Sequence, residues 1–142
     1  MELVIKTKSD ICRMREYGHT QRKLVAIKEV LNSMWGDADY KRLADIGISA
    51  EALNWREETS DTNDYVYTRT CSIYCGDDYD TKHVARTMAD IVGKKLKRAV
   101  TSTTHVTVEA TKKWTETDEL DGEDIYCEES DVVAMTINGE QI

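Results

Sequence analysis

The chain reads as a single α+β domain: a mainly antiparallel sheet with a long C-terminal β-hairpin, one long amphipathic helix and an N-terminal helical part. Three observations predict it. Residues 64–75, DYVYTRTCSIYC, are rich in the Tyr, Thr, Val and Ile that pack well on a pleated surface. Val84, Met88, Ile91, Val92, Leu96 and Ala99 recur at helical spacing and form one apolar stripe. Two alternating runs then flank Asp121-Gly122, a dipeptide suited to the positive φ angles of a tight hairpin turn.

Taken in order, Glu2–Lys6 (ELVIK) is a short apolar run that predicts an edge strand. From Thr20 the period becomes helical, with Leu24, Ile27, Leu31 and Met34 on one face, Val30 widening it and Gly36 ending it. A second short helix is expected over 38–46, where Tyr40, Leu43 and Ala44 share a face and Gly47 supplies a C-cap. Residues 20–46 therefore form the helical part. Residues 48–63 are ambiguous, and REETSDTND (56–64) reads as a loop. After the strand over 64–75, Gly76 and an acidic run break the pattern, and Thr81 is the expected N-cap of the long helix. Asp77, Asp78 and Asp80 precede that helix and Lys94, Lys95, Lys97 and Arg98 end it, which complements the helix dipole. Residues 64–138 are thus a strand-helix-hairpin core, with a right-handed crossover if its two strands lie parallel.

The hairpin register follows from a two-residue Asp121-Gly122 loop. Leu120 then pairs with Glu123, Val106 with Ile137, Val108 with Met135, Ala110 with Val133 and Lys112 with Asp131. The opposite face carries His105 against Asn138, Thr107 against Thr136 and Glu109 against Ala134, so one face is apolar and the other largely polar. A slip of one residue would exchange the faces. This register sets Glu119 against Asp124 and crowds Glu116, Asp118, Glu123, Glu128 and Glu129 nearby. Like charges directly opposed are destabilising, which marks the acidic tip as the candidate site.

Composition sets limits. With 142 residues, 40% hydrophobic and 32% charged, the chain (1–142) fits one globular domain that needs neither disulfides nor a metal. No stretch approaches the roughly 20 apolar residues of a membrane span, and MELVIKTKSD carries no apolar export segment, so a cytoplasmic location is expected. Cys12, Cys71, Cys75 and Cys127 are then expected as free thiols. Charge is unevenly spread. Of the 27 acids, ten lie in residues 114–142, which hold no Lys or Arg; residues 1–113 keep 17 acids against all 19 bases. Such a split biases the choice of partner.

Specific chemistries fit less well. TDELDGEDIYCE (117–128) resembles an EF-hand loop in Glu119, Asp121, Gly122 and Glu128, but Thr117 and Asp124 depart from that pattern and the flanks read as strands. A cation at the tip would relieve its repulsion. Cys71 and Cys75, four positions apart on a strand, would stand about 13 Å from each other, too far for a disulfide or a shared zinc. His105-Val-Thr107-Val resembles one half of the two-histidine phosphoesterase signature; His19-Thr-Gln and His83-Val-Ala do not supply the other half. No phosphate loop, nucleophile elbow or HExxH occurs, and an exposed hairpin end offers no cleft to separate two carboxylate pKa values. No cofactor, metal or catalytic residue is expected. Lys94, Lys95, Lys97, Arg98, Lys112 and Lys113 could form a basic face, but the neighbouring acids oppose direct nucleic-acid binding.

Three functions are weighed. The first is a non-catalytic interaction module in which Glu116, Asp118, Glu119, Asp121, Glu123, Asp124, Glu128 and Glu129 imitate the phosphate line of nucleic acid and occupy a basic groove of a protein partner. In charge and size this resembles the small phage inhibitors of the anti-restriction and anti-CRISPR class. The second is a homo-oligomeric virion subunit, since the order helix, strand, helix, hairpin resembles that of phage tail-terminator and neck proteins; there the hairpin would dock on the Lys94, Lys95, Lys97 and Arg98 patch of the next subunit. The third is a small phosphodiesterase or nucleotide-binding protein centred on His105 and Thr107.

Overall fold

Every second side chain along β1 (Glu2–Ile11) turns inward, and Leu3, Ile5, Thr7 and Ser9 are all buried. This strand is longer than the predicted Glu2–Lys6 and is central, not an edge. It pairs antiparallel with β3 (Val66–Tyr74) on one side and β4 (Thr104–Thr117) on the other. Two inward hydroxyls break the apolar run after Ile5 while leaving the period of two intact. The computed structural model describes residues 2–11, 25–32, 35–49, 55–59, 66–74, 79–99 and 103–138.

Five strands form one antiparallel sheet in the order β2-β3-β1-β4-β5, where β2 is Trp55–Thr59 and β5 is Asp124–Ile137. Residues 56–59, expected in a loop, are edge strand instead. An edge position tolerates the charges of Arg56, Glu57 and Glu58. Because β3 and β4 both run antiparallel to β1, they are parallel to each other, and α3 (Thr81–Ala99) makes the crossover between them.

Helix α3 covers β4 and β5 with Val84, Met88, Ile91, Val92 and Leu96, all buried. Its N-cap is Asp80, not Thr81. The Asp80 carboxylate accepts the Lys82 and His83 amides at 3.1 and 3.3 Å, and Thr81 uses its hydroxyl to donate to Asp131 on β5. The preceding helices lie on the same side of the sheet: α1 (residues 25–32) buries Ile27, Val30 and Leu31, and α2 (Asp37–Asp45) buries Leu43. Tyr40 and Ala44 of α2 are exposed, against the expected shared inward face; Tyr40 stacks on Trp35 instead. Gly47, at φ +83°, ends α2, with its own amide on Ala44 and the Ile48 amide on Leu43. Arg69 of β3 is buried under α1 and donates from Nη1 to the Leu31 carbonyl over 2.7 Å. Leu24, Met34, Cys12, Cys75, His19 and the acidic residues Asp77 and Asp78 lie outside the described residues.

The hairpin register differs from the expected one by two residues. Thr104 opposes Ile137, Val106 opposes Met135, Val108 opposes Val133 and Ala110 opposes Asp131; His105 meets Thr136, not Asn138. A shift of two preserves parity, so the faces are as expected: Val106, Val108, Ala110 and Ile137 are buried, and His105, Val132, Ala134 and Thr136 are exposed. The turn is a four-residue loop between Asp118 and Glu123, closed by the Asp118 amide on the Glu123 carbonyl (2.7 Å) and the Gly122 amide on the Asp118 carbonyl (2.8 Å). Gly122 has φ +68° while Asp121 stays at negative φ, which rules out the type I′ turn.

Candidate functional site

The new register removes the expected clash of opposed acids. Asp124 faces Thr117, not Glu119; Glu116 faces Ile125; Lys113 faces Glu128 and Lys112 faces Glu129. On this ladder no acid is paired with another acid. Lys112 Nζ lies 3.3 Å from the Glu129 carboxylate, donates to the Tyr79 carbonyl and sits 5.1 Å from the centre of the Trp114 ring. Glu128 accepts the Tyr126 hydroxyl at 2.9 Å, and that bond, with the negative charge behind it, raises the Tyr126 pKa. Glu128 and Glu129, two of the eight predicted contact residues, are thus engaged by side chains of the hairpin itself.

The other six gather at the end of a projecting arm. Among the described residues, pairing of β1 with β4 runs as far as Glu2–Lys113, and 114–117 of β4 and 124–127 of β5 have only each other as strand neighbours. Glu116 accepts the Trp114 indole N–H at 2.9 Å, Thr117 donates to Asp124 at 3.2 Å, and Asp118 accepts the Leu120 amide at 3.0 Å. Glu119, Asp121 and Glu123 are exposed on the loop. Between them stands Leu120, 94% exposed, and Ile125 and Tyr126 are exposed on the strand behind. The arm is therefore acidic and apolar together. Cys127 lies on it, its thiol pKa raised by partial burial and by the nearby Glu116 carboxylate.

The basic patch divides. Lys94, Lys97 and Arg98 are exposed, but Lys95 turns inward, 2.7 Å from Asp39 and 5.1 Å from the centre of the Trp35 ring. Burial acts to raise the Asp39 pKa; the Lys95 hydrogen bond, the Gly36 amide and the charges of Lys95 and Arg42 outweigh it and hold the group below the ordinary value. Asp90 is lowered chiefly by the hydrogen bond from Arg42, against the effect of burial and with help from Lys94 at 3.2 Å.

Sequence reasoning missed a groove of about 500 Å³ between α3 and β5. Its floor is Ala89, Gly93, Val133, Met135 and Ile137, and its rim carries Arg86, Lys94 and Lys97 with Asp90. Gly93 opens it: a Cβ there would stand 3.1 Å from Met135 Sδ. Beside it runs the outer edge of β5, the last strand of the sheet. The signal available was the second stripe on α3, where Arg86, Asp90, Gly93 and Lys97 recur at helical spacing.

His105 and Thr107 lie on the face of the sheet opposite α3 and line neither this groove nor the shallow one formed by Glu2, Tyr74, Lys113, Trp114, Thr115 and Tyr126. His105 is exposed, with Nδ1 3.2 Å from Thr136 Oγ1. Residues 117–128 form strand, loop and strand, so the EF-hand frame of two helices is absent. Among the described residues no group of three His, Cys, Asp or Glu is arranged to hold a metal ion, and no helix is long and apolar enough to cross a membrane. The chain matches no family model, no curated protein and no solved structure.

Proposed function

We propose that the protein is a non-catalytic interaction module that inserts its β4–β5 arm into a basic, partly apolar groove of a protein partner. The supporting observation is the arm's end, where Glu116, Asp118, Glu119, Asp121, Glu123 and Asp124 flank the exposed Leu120 in sequence, beyond the last described rung of β1. A Lys or Arg groove meets those carboxylates through charge-assisted hydrogen bonds, and an apolar floor takes up Leu120. Complementary charge would also speed encounter.

A photo-crosslinking side chain at position 120 tests this. Cross-links to a protein should form with the wild-type arm and vanish when the six carboxylates become Asn or Gln, with circular dichroism unchanged. Cross-linking that survives neutralisation sinks the reading.

A second reading, the nucleic-acid mimic that blocks a nucleic-acid-directed enzyme, is favoured by the nine carboxylates and no base in residues 114–131. It leaves Leu120, Ile125 and Tyr126 without a role, since a phosphate line has no apolar counterpart.

A further inference from the structure

We infer that the arm's partner is a second copy of this chain, and that the arm of one copy lies in the α3–β5 groove of the next. This rests on the reading of the arm given above and adds the identity of the surface that receives it.

The groove and the arm match in two independent properties. Arg86, Lys94 and Lys97 on the rim oppose the carboxylates of the arm, and the floor of Ala89, Gly93, Val133, Met135 and Ile137 matches Leu120 and Ile125. The β5 edge points the same way. At the other end of the described sheet, β2 is described over five residues and carries Arg56, Glu57 and Glu58 in its sequence, charges of the kind that blunt an edge. β5 has fourteen residues, and Val132 to Ile137 contains no charge, proline or glycine. No described strand pairs with its outer side. An uncharged edge beside an apolar groove is a surface to which another extended segment adds, and the arm is such a segment.

Intramolecular docking is excluded by distance. Arm and groove occupy opposite ends of β5, and from Asp124 to Met135 the strand spans about 35 Å at roughly 3.3 Å per residue. The contact is therefore heterologous: each copy offers an arm at one end and a groove at the other, and repetition gives a ring or a filament.

Light scattering after size exclusion decides the matter with three proteins: wild type, an arm variant with the six carboxylates neutralised, and a groove variant with Arg86→Glu, Lys94→Glu and Lys97→Glu. Wild type should run as a discrete oligomer that falls to the 16.2 kDa monomer in about 1 M salt, where screening reaches within about 3 Å. Each variant alone should be monomeric. Mixed, they should form a heterodimer and no larger species, because only the groove variant's arm and the arm variant's groove remain. Leu120→Asp, at a fully exposed position that folding does not need, should also give a monomer. A wild type that is monomeric at every concentration overturns the second-copy inference and leaves the arm reading to the cross-linking experiment. Assembly of the arm variant like wild type overturns the arm reading itself, and assembly of the groove variant like wild type overturns the groove.

Discussion

Thr117 faces Asp124 across the last rung of the hairpin, and its hydroxyl donates to the carboxylate over 3.2 Å. That pair fixes the loop as Glu119 to Gly122, with the closing amide of Gly122 on the carbonyl of Asp118. Within that loop only Gly122 takes the left-handed region.

Gly122→Ala should therefore loosen the arm's end by about 1 kcal/mol, the ordinary penalty for a side chain at positive φ, since no neighbour lies within 4 Å to add a clash. Amide exchange at residue 122 should quicken roughly fivefold while exchange in β1 is unchanged. Asp121→Gly should bring no stabilisation, as it would in a type I′ turn.

Arg69 should matter far more than its polar character suggests. Its guanidinium is buried and donates to the Leu31 carbonyl over 2.7 Å, so Arg69→Leu leaves that acceptor without this donor. A loss of about 2 kcal/mol in urea unfolding is expected, in the range for a hydrogen bond to a charged group.

Gly93→Ala should raise stability by up to about 1 kcal/mol, because alanine is the better helix residue. The added methyl meets Met135 Sδ at 3.1 Å and Ile137 Cδ1 at 3.6 Å, and both are side-chain ends that can give way. Urea unfolding reads the gain, and the groove is narrowed in the same step.

Acid should loosen the clamp between α2 and α3. Asp90 and Asp39 both have folded pKa values below their unfolded ones, so their contribution is complete above the ordinary carboxylate value of about 3.9 and is lost as pH falls through the lowered values. Carboxyl NMR titration should show both groups protonating late. Arg42→Met should move Asp90 back towards the ordinary value, since Arg42 is the leading cause of its shift.

Periodicity carried most of the fold. The stripe of α3, the Gly47 cap and the two faces of the hairpin were legible because burial depends on spacing alone. The register was harder, because shifts of two residues leave burial unchanged. The deciding signal was nonetheless present: in the observed pairing Lys112 and Lys113 each meet a glutamate, whereas the expected one set Lys113 against Ser130. β1 was read as too short because Thr7 and Ser9 look polar in sequence yet are buried. β2 was hidden by charges that an edge tolerates. The arm is set apart by which rungs of β4 the described part of β1 reaches, and the groove by Gly93 lying over Met135; neither relation is local in sequence.

The central place of β1 also governs the order of assembly. Ile5 is flanked by Cys71 and Ala110, so β1 is completed by partners made much later. On a ribosome it waits unpaired until β3 emerges, and its other side stays open until β4 follows. Contacts this distant along the chain slow folding and lengthen the period in which strands can mispair. A circular permutant opened after β1, with the original ends joined, would place β1 behind both β3 and β4, so that it emerges with its partners already made.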